Sequence, residues 1–204
     1  SEEGDAFLPR VAGNYTIAIL CIDTNELVLF NDRMGPRRIY YADHGDMVVF
    51  APEVKAISFL PMFHRELDWK GVSDFFNFGY VLGRNTFFKG IWSLPSSSVL
   101  KVSPSQAEIQ IKKYWQPKYT ENPGEMNEYA DTCYSLIRDS IAEKIDHAES
   151  IISPISGGLD SRLILAMLKK LNIGKLIKPV TYGQRFSYEY KNAKKVCSTL
   201  GFNN

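Results

Sequence analysis

The spacing of apolar and polar positions divides the chain near its middle. Residues 15–22 and 27–30 are dense in β-branched and aromatic side chains, and residues 38–41 and 47–50 repeat the pattern, so each segment reads as a strand. Asp23-Thr24-Asn25, Gly35-Pro36 and Asp43-His44-Gly45-Asp46 supply turns between them, which predicts an antiparallel meander of about four strands. Pro52 and Glu53 open a short helix ending near residue 59, and Asp68 caps a second helix running to about residue 78. Residues 99–102 and 108–112 read as one more hairpin, turned at Ser103-Pro104-Ser105. These strands suffice for little more than one sheet.

Two prolines, a glycine and several polar residues over 116–125 mark a boundary. Beyond it Tyr129, Cys133, Leu136, Ile137, Ile141 and Ile145 fall at helical spacing, the signature of one buried face of a helix over 128–145. A short strand (Ile151, Ile152, Ile155), a glycine turn, a helix over 161–171, a strand over 177–182 and a helix over 188–200 then alternate. That order predicts βαβα units on a parallel sheet. Two parallel strands do not cover both of their faces, so exposed apolar surface is expected at Ile152, Leu163 and Val180 and along residues 15–22. Such surface calls for a second copy of the chain or for further polypeptide to cover it.

Composition narrows the class. Of 204 residues, 45% are hydrophobic and 23% charged, which excludes general disorder, and a net charge of +1 denies the chain the global positive field of many nucleic-acid binders. Cys21, Cys133 and Cys197 lie far apart, neither a zinc pattern nor a disulfide framework, and read as reduced thiols. No apolar run approaches the roughly 20 residues of a membrane span, and the opening Ser1-Glu2-Glu3-Gly4-Asp5 is acidic, so a cytoplasmic protein is expected. The chain starts without methionine and stops just past a helix, the pattern of a piece of something longer.

Ser156-Gly157-Gly158-Leu159-Asp160-Ser161 stands between an apolar strand and an apolar helix. Two glycines admit a ligand close to the backbone, and the helix N-terminus behind them offers unpaired N–H groups, together an anion site. Ser156 and Ser161 add hydroxyl donors, and Asp160 has a purpose beside phosphates if it helps to hold Mg2+. The ordinary structural explanation is a serine-capped glycine turn with Asp160 as a first-turn acid. The loop resembles the S-G-G-x-D-S motif of the ATP pyrophosphatase (PP-loop) enzymes, in which ATP adenylates a carboxylate or carbonyl and pyrophosphate leaves. The resemblance implies nucleotide binding by Ile155, Ser156, Gly157, Gly158, Leu159, Asp160 and Ser161, with Asp160 catalytic and the Mg2+ contact through pyrophosphate. It also implies that Thr181, Tyr182 and Gly183, at the end of the next strand, hold adenine.

What precedes the loop resembles the glutamine-dependent (class B) asparagine synthetase family, an Ntn-type glutaminase followed by an ATP-using synthetase. Asn31-Asp32-Arg33-Met34-Gly35 with Ile39-Tyr40-Tyr41 is similar to R-D-x-x-G-x-x-P-L-Y-Y, and Phe50-Ala51-Pro52-Glu53-Val54-Lys55-Ala56 to F-A-S-E-x-K-A. Arg65-Glu66-Leu67-Asp68, Gly79-Tyr80, Phe87-Phe88-Lys89-Gly90-Ile91, Leu94-Pro95 and Tyr114-Trp115 follow in the family's order. The resemblance implies an α+β part over residues 1–117, a partial antiparallel Ntn-type sandwich without its nucleophile segment. It implies an α/β part over 126–204, the start of a PP-loop domain with an incomplete parallel sheet. ATP, Mg2+, a carboxylate acceptor and, in the full protein, glutamine are the expected ligands.

The departures carry weight. The family's N-terminal cysteine and its glutamine-gripping segments have no counterpart, so no glutaminase nucleophile is assigned, with Ser1 and Cys21 poor substitutes. The family's later S-G-E-G-x-D-E loop is absent too. Arg162 follows the motif where a second serine is usual; it faces either a phosphate or acceptor, or simply solvent and a nearby acid. His44, His64 and His147 form no cluster in sequence, and the aromatics Phe75, Phe76, Phe78, Tyr80, Phe87 and Phe88 read as core. Lys169, Lys170, Lys175, Lys178, Lys191, Lys194 and Lys195 fit a solvated helix face, or tRNA in a PP-loop enzyme of another branch. Besides amide formation through an acyl-adenylate, two classes stay open: a tRNA-acting PP-loop enzyme, and a non-catalytic nucleotide-binding fragment. Neither a membrane nor, on the favoured reading, a nucleic acid is expected as partner.

Overall fold

The computed structural model describes residues 7–45, 47–103, 109–121, 123–171 and 176–202. The chain forms two units, Ser1–Tyr119 and Thr120–Asn204. The Ser1 candidate, Asp46 of the third turn, residues 104–108 of the hairpin and Lys175 lie outside the described residues.

In the first unit β1 (Thr16–Cys21), β2 (Glu26–Asn31), β6 (Ser98–Val102) and β7 (Gln110–Lys113) form one antiparallel sheet in the order β1-β2-β6-β7. A second antiparallel sheet runs β4-β3-β5, from β3 (Tyr40–Asp43), β4 (Val48–Ala51) and β5 (Trp92–Ser93). The expected single meander is therefore corrected: its first two strands pair onward with β6, and its last two belong to another sheet. There are strands enough for two sheets, and Leu29 and Leu100 of the first share a core with Tyr41 of the second and with Ile39 and Leu94, which flank β3 and β5. The pairing in register explains which residues do this, because Leu29 lies opposite Leu100 and cross-strand partners point to the same face. Behind the second sheet, Ala42 packs on Ile57 of α1 (Val54–Ser58) and on Ile91.

A further helix, α2 (Trp69–Phe78), is capped by Asp68, whose carboxylate accepts from Lys70 N at 3.0 Å. The aromatics on α2 and in the chain after it are not core, contrary to expectation: Phe75, Phe76, Phe78, Tyr80 and Phe87 are exposed, Phe76 at 82%, and of the six only Phe88 packs on a buried cluster. Apolar content set the expectation, but α2 seats its glycine flank, not its aromatic flank, against the neighbouring chain.

The second unit holds α3 (Met126–Ile145), β8 (Ser150–Pro154), α4 (Leu159–Lys170), β9 (Leu176–Val180) and α5 (Tyr188–Thr199). The buried face expected of α3 is corrected: of its apolar stripe only Ile145 is buried, while Tyr129, Cys133 and Leu136 are exposed because no described segment covers them. β8 and β9 pair in parallel. Ile155, Leu165, Ala193 and Cys197 form a buried core with Ile177 packed against it, so α4 and α5 share the strands' covered side. The other side is open: Ile152 is 67% exposed, and Leu176 and Val180 are exposed with it. Leu163 and, along β1, Ile17, Ile19 and Leu20 are exposed too, as expected. Among the described residues no helix is long and apolar enough to cross a membrane.

Candidate functional site

The hexapeptide 156–161 occupies the turn from β8 into α4. Ile155 N donates to Val180 O at 2.9 Å, which ties the end of β8 to the end of β9 just before the two strands part. The loop and Thr181-Tyr182-Gly183 therefore leave the sheet at the same, carboxyl edge, where open α/β sheets bind ligands. Ile155 is buried and belongs to the core; Ser156, Gly158, Leu159 and Asp160 are exposed, and so are Tyr182 and Gly183.

Hydrogen bonds draw the loop around its own serines. Ser161 Oγ donates to Gly158 O at 3.1 Å and lies 3.3 Å from Ser156 Oγ, while Ser156 N donates to Ser161 Oγ at 3.3 Å. Gly158 is the helix N-cap and has no side-chain cap, so the first-turn N–H groups of α4 are left for a ligand or water. Gly157 takes φ +77°, and a Cβ there would stand 2.7 Å from Asn192 Cβ and 3.2 Å from Glu189 O of α5. Its glycine is thus required by packing on α5 as well as by backbone shape, a need that sequence alone does not reveal.

Asp160 makes no hydrogen bond or ion pair with any described residue, so its carboxylate stands free in the first turn. No group of three acids, histidines or cysteines assembles among the described residues. Mg2+ ordinarily keeps its waters and takes one or two carboxylates plus substrate phosphates, and Asp160, exposed after the glycine turn, is a carboxylate of the kind that donor set uses. Arg162 has no acid partner among the described residues: its Nε donates to Gly158 O at 3.2 Å, which corrects the alternative of a nearby ion pair.

In the first unit the family-like motif at 31–35 has a structural occupation. Asp32, 3% exposed, accepts from Tyr15 N at 3.1 Å through one oxygen and from Met34 N and Gly35 N at 2.9 and 3.0 Å through the other. Asn31 donates to Pro95 O at 2.9 Å and accepts from Ser98 N at 3.0 Å, and Tyr114 Oη donates to Asn31 O. The burial that comes with this network pushes the Tyr114 hydroxyl far above its usual pKa.

The thiols divide by environment. Cys21 and Cys133 are exposed, whereas Cys197 is buried and desolvation pushes its thiol up. With a disulfide-exchange reagent at pH 8, two thiols of the folded chain are expected to react promptly and the third only after denaturation. Three prompt equivalents would contradict the packing around Cys197.

The family model described as glutamine amidotransferase domain matches residues 1–115. The chain belongs to that family. An asparagine synthetase (glutamine-hydrolysing) of Bacillus subtilis is 26% identical over 156 residues, 76% of this chain and 25% of its own. A second from the same organism is 25% identical over 193 residues, 92% of this chain and 30% of its own. An amidase of Gibberella zeae is 24% identical over 172 residues, 82% of this chain and 25% of its own. This amidotransferase-family chain thus spans about a quarter of the length of the curated relatives it matches, and a likeness covering 92% of it extends into the second unit.

Proposed function

We propose that the chain is part of a glutamine-dependent amidotransferase of the asparagine synthetase kind. In this reading the second unit binds ATP and the whole protein joins ammonia or an amine to an adenylated carboxylate. The observation that carries the ATP reading is the Ser156–Ser161 hexapeptide, with two glycines at the carboxyl edge of a parallel strand pair and an uncapped helix N-terminus behind them. Family membership and the named activity of the relatives support glutamine as the nitrogen source in the whole protein.

The chain's own groups then have separate tasks. The first-turn N–H groups of α4 and the Ser156 and Ser161 hydroxyls hold phosphate oxygens, exchanging their internal hydrogen bonds for ones to the anion. Thr181, Tyr182 and Gly183, at the same edge, receive the base. Asp160 supplies the carboxylate for Mg2+ on the phosphates; the ion, when bound, offsets the charge that develops on the leaving pyrophosphate. The acceptor in this reading is a carboxylate.

Calorimetric titration of the full chain with ATP, with and without Mg2+, tests this. Saturable binding is expected, strengthened by Mg2+, and Asp160→Asn should remove roughly tenfold or more of the Mg2+-dependent affinity while leaving Mg2+-free binding nearly intact. No saturable binding, or equal Mg2+ enhancement in the variant, would defeat the reading.

A further inference from the structure

A cavity of about 510 Å³ lies between α4 and α5, within the range of small-molecule sites. Arg162 and Lys195 line it, and none of its lining residues is acidic. Neither cation has an ion pair with any described residue: Arg162 is steadied by its single side-chain bond to Gly158 O, which leaves both terminal guanidinium nitrogens without a described partner, and the Lys195 ammonium makes no hydrogen bond or ion pair with a described residue. Two like charges facing one cavity raise its potential, and an anion is the group that relieves them. Asn192 and Thr199 add polar donors, while Ala166, Val196 and Leu200 give an apolar wall.

We propose that the groove between α4 and α5 binds a phosphomonoester whose non-phosphate part is apolar. Such a phosphate carries about −1.5 to −2 charges near pH 7, which matches the two unpaired cations, and the apolar wall takes the remainder. Of the hexapeptide only Gly157 borders the groove; Ser156, Asp160 and Ser161 do not line it, so the site adjoins the loop read as holding ATP without using its hydroxyls or its carboxylate. The arginine that replaces the family's usual serine is then a ligand group of this second site.

Phenyl phosphate is the probe, titrated into the full chain by calorimetry, with inorganic phosphate and benzoate alongside. Saturable binding of phenyl phosphate is expected, tighter than either companion. Lys195→Gln and Arg162→Gln should each weaken it roughly tenfold, and Ala166→Glu should abolish it. Ser161→Ala, which removes a hydroxyl of the loop read as holding ATP, should cost less than either cation variant, since Ser161 does not line the groove. Lys195 is exposed, so its variant is expected to keep the parent melting temperature and remains informative even if Ala166→Glu fails to fold. Absence of saturable binding, binding indifferent to both cation variants, or binding lost in Ser161→Ala alone would overturn the site. Benzoate bound as tightly as phenyl phosphate would overturn the phosphomonoester assignment.

Discussion

Gly71→Ala is expected to lower the melting temperature of the first unit by roughly 10 to 20 °C, a loss of about 3 kcal/mol, even though alanine is the better helix former by about 1 kcal/mol. The reason is a contact. A Cβ at position 71 would fall 2.1 Å from Thr86 O and 2.9 Å from Thr86 C, which are backbone atoms and do not swing aside. Thr86 is itself fixed, since its hydroxyl donates to Ile91 O at 2.8 Å and accepts from Phe88 N at 3.1 Å, and the adjoining chain is held by Asp68 N donating to Phe87 O. Relief therefore requires α2 to move as a body. Thermal unfolding of the variant measures this directly, and a melting temperature at or above the parent value would show that α2 is free to slide.

Asp32→Ala should destabilise the same unit by about 3 kcal/mol, because it strands three backbone N–H groups that now donate to one buried carboxylate. The chemistry predicts a graded series. An asparagine retains one carbonyl oxygen, enough for Met34 N and Gly35 N, but turns an NH2 toward Tyr15 N. Asp32→Asn is accordingly expected to lose about half as much as Asp32→Ala. Urea unfolding of both variants gives the two values; equal losses would mean that the charge, not the number of acceptors, holds the loop.

Both effects show what a single sequence displays and what it conceals. The strands at 15–22, 27–30, 38–41 and 47–50 were legible because alternation and β-branching are local properties. The turns at 23–25 and 43–46 also announced the pairing of β1 with β2 and of β3 with β4, but the longer-range partners were hidden, since β2 joins Val99 to Val102 across some seventy residues, and the two-residue β5 is too short to carry any period. In the second unit the order of strand and helix announced parallel pairing, and the glycines at 157 and 158 announced the turn. The groove was invisible, because Arg162 and Lys195 meet only once α4 and α5 pack side by side, and nothing in either helix alone specifies that. Asp32 was noticed as a motif residue, but its office as a three-way acceptor depends on Tyr15, which reaches it only through the fold.

The division into units at Tyr119 and Thr120 has an optical consequence. All three tryptophans, Trp69, Trp92 and Trp115, fall in the first unit. Intrinsic indole emission therefore follows the sandwich and is silent about the α/β part. The Gly71 and Asp32 variants are well matched to that signal. Ligand-induced stabilisation around α4 and α5 calls instead for calorimetry or for a reporter placed within 120–204, because an unchanged indole trace there carries no information about binding.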